Sequence, residues 1–462
     1  YMPDYKSYET ARGIYFKLEE LPGPCAKELP ELAEQILHIE EYEKQYREVR
    51  KQTREWACRY DDGRVSEKII DVVFHGSQDY TLLKAERTEK KKILMYAGAF
   101  LMNGMTSAVL NLLNNIDYND YDVTVYATSI RTEIQDYNFD RLPQEVRVLL
   151  RCGMMSMTDE HRRVYEDTTH NGFAIAPQDV PLQDYLLKRE YIRCFGDSRF
   201  DYVIDYSGYG PYFICFTAKQ CPQAKKLIWQ HSDLKEEFMN VEKRKLNGTA
   251  TTLEGLLSVY PYCDKIVSAS QMVCEVNREK LATEETRGKF TYSTNLMDVQ
   301  RTKEMLQSSG SCQMDGRDYI RIVNEMSGNG TMNATLIPFP LQDKECIKFV
   351  TMGRCMPEKN HRSIILAMKR LIDEGISCRL YIIGDGHMRE ELESLAEDLH
   401  IMDKLVITGF ITNPFAVLKE CDCFVFPSSY EAQGLAVLEA RIVNLPIVVS
   451  DYPAVKSVML GD

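Results

Sequence analysis

The stretch CFVFPSSYEAQGLAVLEA (423–440) decides how this chain is expected to fold. It opens with a short apolar run rich in aromatic and β-branched residues, the signature of a buried strand. It closes with GLAVLEA, where apolar residues recur at helical spacing behind a glycine. Two carboxylates bracket that glycine: Glu431 lies before Gly434, and Glu439 lies two helical turns beyond Glu431. A buried strand, a polar turn and a helix in immediate succession predict one unit of a parallel sheet covered by helices.

The same alternation runs outward in both directions. IKFVTMG (347–353), CRLYIIG (378–384), KLVITG (404–409) and LPIVVS (445–450) read as strands. Between them lie helical segments, one carrying Ile364, Ile365, Met368, Leu371 and Ile372 on a single face. An earlier series holds KILMYAG (92–98), YDVTVYAT (121–128), FDYVIDY (200–206), KKLIWQH (225–231) and DKIVSAS (264–270), with NGMTSAVLNLLNNI (103–116) as a helix. The expected fold is α/β, with two doubly wound parallel-sheet domains, 92–343 and 344–462, facing a cleft. The region 300–343, with its SSGS and SGNG stretches, reads as a polar, loop-like connection. Residues 1–78 read as helical and charged, with a turn at Asp61-Asp62-Gly63 and a helix starting near Ser66-Glu67. Residues 79–91 read as a linker. The chain opens on Tyr1 and stops at Gly461-Asp462, and both ends are expected to be cuts in a longer polypeptide.

Composition narrows the function classes. A net charge of −13 argues against general nucleic-acid binding, which asks for a basic face. The 14 cysteines include no C-x-x-C pair and read as small core residues in a reducing compartment. The eight histidines show no ligand spacing, so no metal site is expected. No apolar run reaches the length of a membrane span, and no secretory signal is present.

Polar groups collect where the strands are expected to end. Asn103-Gly104 follows the first strand, His231 ends KKLIWQH, and Gly353-Arg354 ends IKFVTMG with Lys359 shortly after. Gly384-Asp385-Gly386 ends CRLYIIG, and Glu431, Gly434 and Leu435 follow CFVFP. Each has a bland reading alone: turn glycines, a solvated arginine, a buried imidazole, surface glutamates. Lys359 is expected to begin a helix, where a cation opposes the dipole. Taken together, the groups suit a diphosphate. Arginine offers a planar fork, lysine a point charge, and a glycine-led helix start offers free N–H groups. Glu439 suits the hydroxyls of a ribose and Glu431 those of a second polyol. A glycosidase acid/base pair is the competing reading, but it leaves Arg354 and Lys359 without a purpose.

GRCMPEKN (353–360), IIGDG (382–386), DCFVFPSSYEAQGLAVLEA (422–440) and LPIVVSD (445–451) resemble the donor-binding half of retaining GT-B glycosyltransferases of family 4. The resemblance covers roughly 92–462. It implies a nucleotide-sugar donor, UDP-linked, with no cofactor and no essential metal. Arg354 and Lys359 would contact the diphosphate and Glu439 the ribose. Glu431 would hold the donor sugar, Gly353, Gly434 and Leu435 would lie close to the donor, and His231 would face the reacting centre. The amino-terminal phosphate loop that reads Gly-Gly in that family is Asn103-Gly104 here, and these two residues would also bind the donor. YKSYETARGIYFKLEELPGP (5–24) and YDDGRVSEKIIDVVF (60–74) resemble the carboxyl end of CDP-glycerol glycerophosphotransferases, the teichoic acid polymerases. Together the resemblances imply a transferase of teichoic acid or another lipid-linked cell-wall glycan, cytoplasmic and peripheral on the inner membrane face, with no nucleic-acid partner. Glycerophosphotransfer by the upstream module and non-catalytic glycan binding are the alternatives.

Overall fold

The computed structural model describes residues 5–6, 20–59, 61–77, 79, 89–128, 132–240, 250–308, 310–324, 333–341, 343–452, 455 and 459. Most of the stretch 5–24 and of the expected linker 79–91 lies outside them. The chain divides into two compact units, Tyr1–Arg87 and Thr88–Asp462.

In the first unit the described helices are Leu29–Leu37, Ile39–Gln45, Arg47–Ala57 and Val65–Val73, and none of them buries a residue. The turn before the last helix has Gly63 at φ 75°, and the Asp62 carboxylate accepts from the Arg64 N–H at 3.0 Å. The helix starts at Val65, within a residue of the expected Ser66-Glu67, just after that turn.

The second unit contains two parallel sheets. The first comprises β1 (Lys91–Tyr96), β2 (Tyr121–Thr128), β3 (Arg147–Arg151), β4 (Tyr202–Asp205), β5 (Lys225–Gln230), β6 (Lys265–Ser268) and β7 (Phe290–Tyr292), in the order 3-2-1-4-5-6-7. The second comprises β11 (Ile347–Met352), β12 (Cys378–Ile383), β13 (Leu405–Gly409), β14 (Cys423–Phe426) and β15 (Ile447–Val449), in the order 13-12-11-14-15. The strand period of two sends neighbouring side chains to opposite faces. Leu94 therefore packs with Phe213 and Ile214, while Ile93 and Met95 pack with Val109 and Leu110. In the second sheet Tyr381 and Phe424 face one core, while Leu380 and Ile382 face the other.

In each sheet the chain reverses its winding at one point, between β1 and β4 and between β11 and β14. Loops diverge at such a point and leave a crevice beyond the strands' carboxyl ends.

The expected loop-like connection is instead structured. The helix Val299–Gln307 leads into an antiparallel sheet of β8 (Gly310–Met314), β9 (Arg317–Asn324) and β10 (Asn333–Pro338). Alternating Ile320 and Ile322 of β9, with Ile337 of β10, are buried in the same cluster as Val350 and Phe424. That apolar alternation outweighs the serines and glycines around it. The SGNG stretch lies outside the described residues.

Candidate active site

The carboxyl ends of the two parallel sheets bound one cavity of about 860 Å³. Of the strand-end residues singled out in the sequence, Asn103, Gly104 and His231 from the first sheet's domain and Gly353, Arg354, Lys359, Gly384, Asp385, Glu431, Gly434, Leu435 and Glu439 from the second line it, and Gly386 does not. Adjacency explains part of this convergence. β11 pairs directly with β14, with Val350 opposite Phe424, so the loops carrying Arg354 and Glu431 leave from neighbouring strands.

Lys359 and Glu431 form an ion pair, and the Lys359 ammonium lies 5.4 Å from the Phe426 ring centroid. Ser428 Oγ donates to Glu431 Oε1 at 2.7 Å, and the Ser429 N–H donates to the Glu358 carbonyl at 2.9 Å. The two loops are thus tied into one surface. Lys359 does not begin a helix as expected. It ends the 3-10 turn Pro357–Lys359, Asn360 follows in the left-handed conformation at φ 50°, and the helix His361–Asp373 starts after it. Lys359 is therefore free of the helix axis and turns to Glu431. Arg354 is half-exposed, with its guanidinium 3.7 Å from the Glu358 carboxylate. Gly384 lets β12's end close on this loop, since a Cβ there would sit 2.1 Å from the Gly353 carbonyl oxygen.

Gly434 adopts φ 81°, ψ 58° and leads into the helix Leu435–Ile442, which no side chain caps. A helix start without a side-chain cap leaves backbone N–H groups for an external anion. Glu439 lies further along that helix. Burial pushes its carboxyl up to about 7, and the nearby Arg141 guanidinium pulls the other way. Arg141 comes from the opposite domain and also lines the cavity.

On the first sheet's side, His231 Nε2 lies 2.5 Å from the Tyr206 carbonyl oxygen. A carbonyl can only accept, so Nε2 carries the proton and Nδ1 keeps its lone pair. Burial pulls this imidazole down to about 4, so the ring is neutral at physiological pH. Asn103 caps the helix Gly104–Asn114 by accepting from the Thr106 N–H at 2.9 Å. A Cβ on Gly104 would meet nothing within 4 Å, so the protein's own packing does not demand glycine there.

Sequence reasoning passed over Arg141, Tyr209 and Gln433, which share the cavity wall. Arg141 and Tyr209 are isolated along the chain, with no partner at a recognisable spacing, and Gln433, although it lies between Glu431 and Gly434, carries no charge to draw notice. Among the described residues, no group of three or more His, Cys, Asp or Glu is arranged to hold a metal ion, and no helix is long and apolar enough to cross a membrane.

Residues 333–460 match the family described as Glycosyl transferases group 1. This segment is a group 1 glycosyltransferase domain. Its sequence relatives include an uncharacterized glycosyltransferase of Methanocaldococcus jannaschii, 32% identical over 108 residues, which are 23% of this chain and 27% of that protein. A second is the N-acetylgalactosamine-N,N'-diacetylbacillosaminyl-diphospho-undecaprenol 4-alpha-N-acetylgalactosaminyltransferase of Campylobacter jejuni, 29% identical over 116 residues, 25% of this chain and 31% of that one. The chain thus matches less than a third of the length of either relative.

The group 1 domain and the parallel-sheet domain before it share the GT-B fold of solved structures. Anabaena HepE, in complex with UDP and glucose, superimposes with a TM-score of 0.51 at 11% identity, over 79% of this chain and 82% of that one. A glycine-to-arginine mutant of Staphylococcus aureus TarM, in complex with fondaparinux, alpha-GlcNAc-glycerol and UDP, gives a TM-score of 0.50 at 13% identity, over 80% of this chain and 88% of that one. Residues 1–75 match a second family, CDP-Glycerol:Poly(glycerophosphate) glycerophosphotransferase.

Proposed function

We propose that the cavity binds a nucleoside-diphosphate sugar and transfers the sugar, with retention of configuration, to a hydroxyl of a teichoic-acid-type or other lipid-linked glycan. The observation that carries this reading is convergence. Two cationic side chains, a helix start without a side-chain cap and two carboxylates line one 860 Å³ space. Arg354 and Lys359 hold the diphosphate, with the N–H groups after Gly434. Glu439 takes the ribose hydroxyls and Glu431 the sugar. As the glycosidic bond breaks, its electron pair passes to the diphosphate, and the same donors stabilise that growing charge. The leaving phosphate oxygen takes the acceptor's proton, so no protein nucleophile and no metal is required. Neutral His231 faces the sugar with Nδ1 as an acceptor for a hydroxyl.

UDP is the proposed carrier, in keeping with the UDP present in the HepE and TarM structures. The glycerophosphotransferase match at residues 1–75 supports a glycerol-phosphate polymer as acceptor. With a lipid-linked polymer as acceptor, the proposed location is peripheral, on the cytoplasmic face of the membrane.

The test offers the protein a panel of nucleotide sugars with a glycerol-phosphate oligomer and reads the product by mass spectrometry, with and without a chelator. A sugar-bearing oligomer and free nucleoside diphosphate are expected. Arg354→Ala is expected to lower turnover by about two to three decades with the fold intact. Free sugar released from a glycan without any nucleotide sinks the proposal in favour of hydrolysis. Glycan binding with no affinity for any nucleotide sinks it in favour of a non-catalytic module.

A further inference from the structure

Three hydrogen bonds cross the cleft beside the residues assigned to the reacting centre. The Asp233 N–H donates to Tyr430 Oη at 2.7 Å, joining the residue two after His231 to the residue before Glu431. The Asn295 N–H donates to Gln433 Oε1 at 2.9 Å, and Gln433 Nε2 donates back to the Asn295 carbonyl at 3.3 Å. Gln433 is buried and sits directly before Gly434. A primary amide presents a donor and an acceptor in one plane, as a peptide group does. It can therefore meet both backbone groups of one residue on the facing domain, as an extra rung of a sheet would.

Asn295 is firmly held on its own side. Its Oδ1 accepts from Tyr206 Oη at 3.1 Å, and the next residue, Leu296, offers its carbonyl to Asn111 Nδ2 at 3.0 Å. Tyr206 is also the residue whose carbonyl accepts from His231 Nε2. One chain of contacts thus runs from the His231 ring through Tyr206 and Asn295 to Gln433, in the loop that carries Glu431 and Gly434.

We propose that Gln433 is a positioning residue, a clasp that holds the two domains closed and sets the spacing between His231 on one side and Glu431 and Gly434 on the other. This deepens the glycosyltransferase reading and rests on it for its kinetic arm. Arg354, Lys359 and the N–H groups after Gly434, the charged part of the diphosphate cradle, all belong to the group 1 domain, so loss of the clasp leaves most of the donor affinity in place. What it removes is the population of closed molecules in which His231 meets the sugar.

The test replaces Gln433 by methionine, which keeps the length and apolar stem and removes both hydrogen bonds. Two neutral hydrogen bonds correspond to about 10–30-fold in a closing equilibrium. Gln433→Met is expected to lower kcat by up to that factor, since kcat follows the closed fraction, with the Kd for the nucleotide sugar within about twofold of wild type. Gln433→Glu keeps the acceptor for the Asn295 N–H and loses the donor, and is expected to fall between the two. Tyr206→Phe loosens Asn295 from the same chain, so its effect and that of Gln433→Met are expected to be less than additive. Spectroscopic distances between labels on the two domains, measured with no substrate, are expected to lengthen in Gln433→Met. Wild-type kcat in Gln433→Met overturns the clasp, as does a parallel loss of kcat and donor affinity. If the wild-type chain transfers no sugar, the glycosyltransferase reading fails on its own. The label distances then decide the clasp alone, and an unchanged distribution overturns it.

Discussion

Nucleotide-sugar binding is expected to tighten as the pH rises from about 6 to about 8, and Glu439→Gln is expected to remove that dependence. A carboxyl accepts hydrogen bonds from both hydroxyls of a ribose only when ionised. In the free protein burial raises Glu439 to about 7, so much of it is protonated on the acid side of neutrality. Binding must first take that proton off. For a group titrating at about 7, the ionised fraction grows about tenfold between about pH 6 and about pH 8, and the Kd falls by the same factor. His231, pulled down to about 4, does not titrate in this window. Asp205, buried and raised to about 6, does titrate near it, but it is not among the residues lining the cavity. The glutamine variant separates the two. Stability moves the opposite way from affinity. Glu439 gains a proton more readily folded than unfolded, so its contribution is complete below its unfolded value and is lost as the pH rises through about 7. A shift of this size corresponds to about 3 kcal/mol. Calorimetric titration with a nucleotide sugar, whose diphosphate diester does not titrate here, reads the affinity, and thermal unfolding without ligand reads the stability. A flat Kd in the wild type, or an unchanged slope in Glu439→Gln, refutes the assignment of Glu439 to the ribose.

His361 is buried with neither ring nitrogen hydrogen-bonded, and burial, with Lys359's charge adding to it, pulls it down to about 4. Its stabilising contribution is therefore present above its unfolded value and lost as the pH falls toward 4. His361→Leu is expected to raise stability near pH 5 by about 1–3 kcal/mol in urea unfolding, and a loss there counts against this reading. Gly384→Ala forces a Cβ to within 2.1 Å of the Gly353 carbonyl oxygen. It is expected to cost about 2–4 kcal/mol and weaken nucleotide binding, and wild-type values in both measurements would show that the loop yields freely. The His231 ring is expected to titrate near pH 4 by NMR with the proton on Nε2, and an ordinary midpoint near 6.5 would place the ring in water.

The central strands could be read from sequence because both faces are covered, which demands near-continuous apolar runs such as KILMY and CRLYII. The outer strands of the first sheet could not. β3, RVLLR, carries arginines at both ends and is mostly exposed, and β7 is only three residues long. β8 to β10 were hidden by glycine and serine, although the alternation of Ile320 and Ile322 carried the signal. The strand-end residues were found because a parallel sheet concentrates its loops at one edge, whatever their sequence. Gln433 and Arg141 escaped because they work across the gap between domains. Nothing in the order of residues records that 295 lies beside 433, or 141 beside 439.

Most of the cavity residues named from the sequence sit between positions 353 and 439, on one sheet and its loops, while the facing wall comes from a separate length of chain. On the proposed function, choice of donor and choice of acceptor are therefore inherited on different stretches of polypeptide. Exchanging 344–452 for the equivalent half of another transferase should transplant the preference for one nucleotide sugar while keeping the acceptor. Beside the reacting centre such a graft must respect one tyrosine hydroxyl opposite the backbone of 233 and one primary amide opposite the backbone of 295, and behind it the core that Ile320, Ile322 and Ile337 share with Val350 and Phe424.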